Sequence, residues 1–201
     1  ARDNGWKLAD NCARIGYNWD FAPVADVNSN PANTIIGQRA YSSDYGEASS
    51  LISAAIQGFH DRGRVATSIK HFPGHGDTST DTHVGAASVT KTKEQLLKED
   101  LVPFAAGIAA GADSVMIGHL TVPHLDGENI ATVSSVIVTD LLRDEMGFDG
   151  VIVTDGMQMG GGFKGGNFSG KPSGFDGEPP RHAGKGDAAG EGQWGGAFQD
   201  R

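Results

Sequence analysis

Short apolar runs alternate with helix-like patterns along the first 160 residues of the chain. Four runs rich in β-branched or aromatic side chains have the length of buried strands. They are Asn18–Ala22, Val65–Ile69, Ser114–Ile117 and Val151–Thr154. Apolar positions spaced about 3.6 residues apart predict helices over Ala1–Ile15, Asp44–Arg62, Thr92–Ala110 and Ser135–Glu145. Strands that alternate with helices in this way indicate an α/β fold with a parallel sheet.

Two of the predicted helices carry recognisable signals at their ends. Thr92 and Gln95 have the spacing of a capping box, which marks a helix start. Gly147 lies just beyond the Ser135–Glu145 pattern and is typical of a helix end. An apolar stripe also runs through the helix predicted over Thr92–Ala110, consisting of Leu97, Leu101, Phe104 and Ile108. The stripe predicts one continuous helix there.

Polar residues at the ends of the predicted strands distinguish two possible parallel architectures. An open doubly wound sheet places a Gly-rich phosphate turn after its first strand, and Asp20–Asp26 does not resemble one. In a (β/α)8 barrel, the carboxyl ends of the strands meet at one mouth and carry the chemistry there. The residues at those ends are Asp26, Lys70, His71, His119 and Asp155. We therefore expect a partial (β/α)8 barrel over residues 1–160, with about four βα units.

The chain changes character after position 160. Residues 161–201 are rich in Gly, Lys, Asp, Pro and Ser, and they lack the branched aliphatic side chains that build a core. Such a composition does not bury enough apolar surface to offset the entropy of ordering. We expect a disordered tail. Because it begins abruptly where another βα unit is due, one hypothesis is that it is a frame-shifted or otherwise non-native translation.

Charge and composition exclude several kinds of partner. The formal net charge is −9 and the sequence pI is about 5.1, which argues against a nucleic-acid partner, because nucleic-acid binding needs clustered Lys and Arg. No run reaches the roughly 18 apolar residues that a membrane-spanning helix needs. The single cysteine, Cys12, has no partner for an internal disulfide.

The segment from Lys70 to His83 is dense in chemically active side chains, with three His, two Asp and one Lys. Three interpretations are open for it. A metal site could draw on His71, His75, Asp77, Asp81 and His83, although the donors are spread along a Gly-containing loop. The segment could also be a solvated surface loop. In the third interpretation, Asp81 and His83 face the same way and form a carboxylate–imidazole pair for general acid/base catalysis.

Asp155 is the second candidate centre, since it directly follows the apolar run Val151–Thr154. Gly156 leaves room for a ligand to approach the carboxylate. A helix-capping role for Asp155 is the structural alternative. A carboxylate nucleophile combined with a separate proton donor is the equipment of retaining glycoside hydrolysis.

Several linked motifs in this order resemble the N-terminal barrel domain of glycoside hydrolase family 3, in its β-N-acetylglucosaminidase branch. The matching segments are Asp20–Val27, Asn28–Pro31, Ile36–Arg39, the loop 70–83 and Gly147–Asp155. The resemblance implies Asp155 as nucleophile and His83 with Asp81 as acid/base. It also implies sugar contacts from Lys70, His71 and Arg39, and we place His119 with them as a candidate, beside the alternative of a structural hydrogen bond.

The function implied by the resemblance is removal of terminal β-linked N-acetylglucosamine from peptidoglycan or chitin-type oligosaccharides, with retention and without a metal or organic cofactor. The family barrel has strands before Ala1 and after position 160, so the resemblance also implies that this barrel is incomplete. Two alternatives from other classes stay open. One is a carbohydrate-binding fragment without turnover, and the other is a metallohydrolase that uses the His-rich loop.

Overall fold

The computed structural model describes residues 1–63, 65–78 and 87–159. Its helices are α1 (Arg2–Arg14), α2 (Tyr45–Arg62), α3 (Lys93–Lys98) and α4 (Leu101–Ala109), followed by a π-helix over Val136–Glu145. Its strands are β1 (Ser68–Phe72), β2 (Ala87–Ser88), β3 (Ser114–Ile117), β4 (Leu120–Val122), β5 (Asp126–Ile130) and β6 (Val151–Thr154). Short 3-10 turns cover Gly37–Arg39 and Ala131–Val133. Within the described ranges, no helix is long and apolar enough to cross a membrane.

A parallel sheet in the order β1–β3–β6 forms the centre of the fold. The predicted strands Ser114–Ile117 and Val151–Thr154 are confirmed with the same bounds. The prediction for Asn18–Ala22 is wrong in extent, since no continuous strand forms there and the stretch 18–25 pairs with residues 66–70 through two isolated parallel bridges, Trp19 with Ala66 just before β1 and Val24 with Lys70 in β1. The segment nevertheless runs parallel beside β1, so four parallel chain segments lie side by side.

Strand β1 differs from its prediction because it begins at Ser68 and extends to Phe72. Its pairing with β3 is regular up to Lys70 and Met116, and then shifts so that Phe72 pairs with Ile117. One extra residue, His71, therefore lies on the β1 side of the ladder. Such a bulge redirects side chains and is common beside functional sites.

The sheet is stabilised by apolar packing against α2 and α4. Ile69 and Phe72 from β1 are fully buried and belong to the same core cluster as Ile52 and Phe104. The Phe72 and Phe104 rings meet edge to face, with centroids 5.4 Å apart. Because Gly107 on α4 has no side chain, Ile69 of β1 packs closely against that helix. This packing fixes β1, and with it the residues at its carboxyl end.

The predicted helix over Thr92–Ala110 is wrong as a single element, because it is divided into α3 and α4 around Glu99 and Asp100. The capping box between Thr92 and Gln95 is confirmed. Pro103 explains the break, since its ring would clash with the carbonyl of residue 99 in a continuous helix and it has no N–H to donate. The break places two carboxylates, Glu99 and Asp100, at a corner rather than along a helix.

A second, smaller sheet has the strand order β2–β4–β5 and was not predicted. Its β4–β5 hairpin is antiparallel and contains Asp126, Glu128 and Asn129, residue types that are rare in strands. The helix predicted over Ser135–Glu145 is confirmed in position, with π-helical bonding, and Gly147 beyond it has the expected positive φ of 66°.

Candidate active site

A pocket lies at the carboxyl end of the parallel sheet. It is lined by Ile35, Arg39, Lys70, His71, His75, Asp155 and Met159. Lys70 is the central residue of β1 and His71 follows it, Asp155 directly follows β6, and Arg39 ends a 3-10 turn. The structure therefore brings together four of the residues that the sequence singled out, Asp155 with Lys70, His71 and Arg39.

The His71 imidazole is held from below by the buried carboxylate of Asp26. His71 Nδ1 lies 2.7 Å from Asp26 Oδ2, and the backbone N–H of His71 donates to the same oxygen at 3.0 Å. The other oxygen, Oδ1, accepts the backbone N–H of His75 at 2.7 Å. Burial alone would raise the pKa of Asp26, but the His71 ring and these hydrogen bonds hold it below its ordinary value. Asp26 thus stays ionised and orients the imidazole with Nε2 toward the pocket.

The two carboxylate oxygens of Asp155 are in different environments. Oδ1 accepts the backbone N–H of Gly156 at 2.7 Å, while Oδ2 lies 3.8 Å from His71 Nε2. The backbone of Asp155 is fixed as well, because its N–H donates to the carbonyl of Ile117 in β3 at 3.0 Å. The side chain keeps 21% of its surface accessible. One oxygen is therefore held by the backbone, and the other faces the pocket.

Two cationic side chains border the same space. Lys70 is half-buried, and burial together with the nearby Arg39 charge lowers the pKa of its ammonium group, against the opposing effects of Asp155, Asp20 and Asp26. Arg39 Nη2 lies 3.5 Å from His71 Nε2. Lys70 and Arg39 therefore offer several N–H donors beside a carboxylate, an arrangement suited to binding a neutral polyhydroxylated ligand.

Residues 75–78 of the His-rich loop 70–83 are held in place by asparagine side chains to which the sequence gave no role. Asn33 Nδ2 donates to the carbonyl of His75 at 2.7 Å, and Asn30 Nδ2 donates to the carbonyl of Asp77 at 3.1 Å. His75 Nδ1 lies 2.6 Å from Thr78 Oγ1, and burial lowers the pKa of this imidazole. The Asn-rich motif at 28–31 was the available signal for Asn30, whereas Asn33 lies outside that motif. Both contacts join positions more than 40 residues apart.

Two further lining residues, Ile35 and Met159, are apolar and gave no chemical signal in the sequence. His119 lies behind the pocket rather than in its lining, and is buried. Asp81 and His83 lie outside the described residues, as does the proposed tail over 161–201. Among the described residues, no three His, Cys, Asp or Glu side chains converge as metal ligands would.

Comparison with known proteins places this architecture in a described family. Residues 1–172 match the model of the glycosyl hydrolase family 3 N terminal domain. A β-hexosaminidase from Xylella fastidiosa is 42% identical over 159 residues, which are 79% of this chain and 46% of that protein. The chain therefore spans about half the length of the curated relatives it matches.

Solved structures give the same relationship. A glycoside hydrolase family 3 β-N-acetylglucosaminidase from a Paenibacillus species superimposes with a TM-score of 0.77 and 40% identity, over 80% of this chain and 30% of that one. A β-N-acetylhexosaminidase from Beutenbergia cavernae gives a TM-score of 0.73 and 34% identity, over 80% of this chain and 49% of that one. The parallel sheet thus matches part of the barrel domain of these proteins.

Proposed function

Because the chain belongs to glycosyl hydrolase family 3, we propose that it carries the sugar-binding pocket and the nucleophile of a retaining β-N-acetylhexosaminidase. The observation that carries the proposal is the placement of Asp155, whose free oxygen lies 3.8 Å from the His71 ring in a pocket also lined by Lys70 and Arg39. A carboxylate nucleophile among hydrogen-bond donors is what retaining glycoside hydrolysis requires.

In the proposed first step, Asp155 Oδ2 attacks the anomeric carbon and forms a glycosyl ester. The glycosidic bond breaks at the same time, and the leaving oxygen takes a proton from His83, whose ring is oriented by Asp81. In the second step His83 removes a proton from water, the water oxygen attacks the anomeric carbon, and Asp155 leaves as a carboxylate. Two inversions give net retention.

The other pocket residues bind and orient the sugar in this scheme. Lys70 and Arg39 donate to sugar hydroxyls, and His71 does so through Nε2 when that nitrogen carries hydrogen. The Asp26 carboxylate prevents rotation of the His71 ring, because it accepts from both the ring and the backbone of that residue. Fixed donors of this kind contribute to catalysis by positioning the reacting carbon.

The proposed substrate is a terminal β-linked N-acetylglucosamine of a peptidoglycan or chitin-type oligosaccharide. The names of the relatives support the class of sugar, since they are a β-hexosaminidase and a β-N-acetylglucosaminidase. The proposed chemistry uses no metal or organic cofactor.

The proposal is tested by trapping the ester. The full chain is incubated with a 5-fluoro-N-acetylglucosaminyl fluoride, which forms the ester faster than it hydrolyses, and the labelled peptide is found by mass spectrometry. We expect label on Asp155, and we expect Asp155→Ala and His83→Ala each to lower turnover of a chromogenic β-N-acetylglucosaminide by more than about 10³-fold. Asp140→Asn, at an exposed carboxylate on the π-helix, is the matched control and should leave turnover unchanged. Label on another residue, or turnover that survives Asp155→Ala, would refute the assignment.

A second candidate is a carbohydrate-binding fragment without turnover, in which Lys70, His71 and Arg39 hold the sugar in the pocket that they line. Calorimetry with N-acetylglucosamine separates the two. Sugar binding without any labelling of Asp155 would support the fragment, whereas labelling supports the enzyme.

A further inference from the structure

The buried imidazole of His119 contacts protein groups through both of its nitrogens. Only 1% of the residue surface is accessible. Nε2 lies 3.0 Å from the carbonyl oxygen of Gly156, and Nδ1 lies 2.7 Å from Thr132 Oγ1. A residue engaged in this way has no nitrogen left for a sugar hydroxyl.

The direction of the His119 hydrogen bonds follows from the acceptor. A carbonyl oxygen has no hydrogen to give, so Nε2 carries the hydrogen and donates to Gly156. The Thr132 hydroxyl lies closer to His119 Nδ1 than to the Gly118 carbonyl, which is 3.2 Å away. The shorter distance assigns its hydrogen to Nδ1, and this contact fixes the plane of the ring.

Gly156 is the residue through which His119 reaches Asp155. The Gly156 N–H donates to Asp155 Oδ1, and the Gly156 carbonyl accepts from both His119 and the backbone N–H of Met159. Glycine has the widest range of backbone conformations, so its N–H points in a fixed direction only where neighbours hold the residue. His119 holds it from the buried side.

We propose that His119 is a positioning residue, which fixes Gly156 and thereby aims the carboxylate of Asp155, and that it does not bind the sugar. This inference rests on the proposed role of Asp155. It replaces the sugar contact that the sequence suggested for His119 with a hydrogen-bonded chain that runs from Thr132 through His119 and Gly156 to Asp155 Oδ1. The chain leaves Oδ2 as the attacking oxygen.

Two amide substitutions separate the functions of the His119 nitrogens. In His119→Gln the amide nitrogen reaches the place of Nε2 and keeps the bond to Gly156. In His119→Asn the shorter side chain reaches only the place of Nδ1 and loses that bond. Thr132→Val, which removes the hydroxyl while keeping the side-chain volume, tests the outer end of the chain without touching the ring. Thermal unfolding verifies that each variant is folded.

The readouts are the rate at which the 5-fluoro reagent labels Asp155 at saturation and the dissociation constant for N-acetylglucosamine. We expect His119→Asn to slow labelling about 10²-fold, since small displacements of a reacting group cost about that much. The dissociation constant should stay within about twofold, because binding groups are untouched. The labelling rate of His119→Gln should be at least about tenfold higher than that of His119→Asn. The labelling rate of Thr132→Val should fall below that of the wild type by a smaller factor than in His119→Asn.

Equal labelling of the wild-type chain and His119→Asn would overturn the inference while leaving the proposed function intact. Weaker sugar binding in both His119 variants, with an unchanged labelling rate, would also overturn it and would make His119 a sugar ligand. If the wild-type chain binds the sugar but carries no label on Asp155, the proposed nucleophile is wrong and the inference falls with it.

Discussion

Three N–H groups donate hydrogen bonds to the buried carboxylate of Asp26, which lies beneath the pocket. Two of them, the backbone and the ring of His71, approach Oδ2, and the backbone of His75 approaches Oδ1. An ionised carboxylate accepts on both oxygens, whereas a neutral amide accepts on one only.

We therefore expect Asp26→Asn to leave a buried donor facing the amide NH₂ group and to lower the free energy of unfolding by about 3 kcal/mol at pH 7, as for a buried pair that loses one partner. Chemical denaturation measures the difference. The pKa of Asp26 is lowered by folding despite burial, so its stabilising effect is present above the unfolded pKa of about 3.9 and is lost as the pH falls through the lower folded pKa. The difference in the free energy of unfolding between wild type and Asp26→Asn should therefore become smaller below about pH 4. An equal gap at pH 7 and pH 3 would contradict this account.

The site residues that the sequence singled out are those whose side chains carry their own chemical signal. Asp155, Lys70, His71 and Arg39 were singled out, and they line one pocket, although their catalytic and binding roles stay predictions. Asn33 and Ile35 were not found. Asn33 acts through a contact with the carbonyl of His75, which depends on a fold that brings distant segments together. Ile35 and Met159 differ from core residues only in where they lie.

At the scale of elements, Lys91 joins three separate parts of the chain. Its ammonium lies 2.6 Å from Asp100 and 2.9 Å from Glu99 at the α3–α4 corner, and 3.6 Å from Asp77 in the loop after β1. The Tyr45 hydroxyl at the start of α2 accepts from it at 3.0 Å. Burial alone would lower the pKa of Lys91, but the bonds to Asp100, Tyr45 and Glu99 raise it. The ammonium therefore connects the His-rich loop to the helices that cover the sheet.

Lys91→Met should destabilise the protein by about 3 kcal/mol at pH 7, because it leaves Asp100 buried without its partner. Burial already raises the pKa of Asp100 despite Lys91, and loss of the ammonium raises it further. Proton binding by Asp100 therefore offsets part of the loss at lower pH, and the destabilisation should be smaller at pH 5 than at pH 7. Urea denaturation at the two pH values tests this.

Lys93→Met is the matched control for Lys91→Met. Lys93 pairs with Glu145 on the surface, where both side chains are about 40% accessible, and such pairs contribute less than about 1 kcal/mol. If Lys91→Met and Lys93→Met lowered the free energy of unfolding equally, the Lys91 contacts would not stabilise the fold.

The sequence predicted the long elements and missed the breaks and short strands. Strands β3 and β6 are apolar runs with clear limits, so both were found with correct bounds. The helix break at Glu99 was missed because the apolar stripe continues across it, although Pro103 gave the necessary signal. Strands β2, β4 and β5 have two to five residues each, which is too short for an alternating pattern to stand out, so only their pairing identifies them.

At the scale of the whole molecule, apolar side chains are exposed at the amino-terminal end of the parallel sheet. Val151 at the start of β6 is 56% accessible, and the nearby Trp19 and Phe21 are 37% and 45% accessible. Among the described residues, β6 pairs with β3 alone. A strand edge that pairs with no further strand among the described residues, and that has exposed apolar side chains close to it, favours association with other chains.

We expect the chain to self-associate as its concentration rises, and we expect Val151→Lys to shift it toward monomer, because a charge on an edge strand opposes edge-to-edge pairing. Light scattering coupled to size-exclusion chromatography measures the mass. Leu97→Lys makes the same change at an exposed apolar position on α3 and serves as the control. Identical masses for both variants would mean that the β6 edge is not the contact surface.

Choosing between an open sheet and a barrel from the sequence depended on polar residues at strand ends, and the comparisons support the barrel, since the parallel sheet matches part of the family barrel domain. The count of about four βα units corresponds to β1, β3, β6 and the bridged segment before β1. The packing against the sheet edges depends on contacts between distant segments, and the local hydrophobic pattern does not predict such contacts.

The shifted pairing between β1 and β3 allows two consecutive residues, Lys70 and His71, to line the same pocket. In a regular strand, neighbouring side chains point to opposite faces, yet Lys70 and His71 both line the pocket, and the ladder skips His71. A substitution of Lys70 or His71 leaves the backbone of this segment unchanged. A deletion of one residue from it would turn one of the two side chains away from the pocket. The length of this strand end therefore shapes the pocket as directly as the identities of Lys70 and His71 do, and deletion of one position would restore the regular ladder at the expense of a pocket side chain.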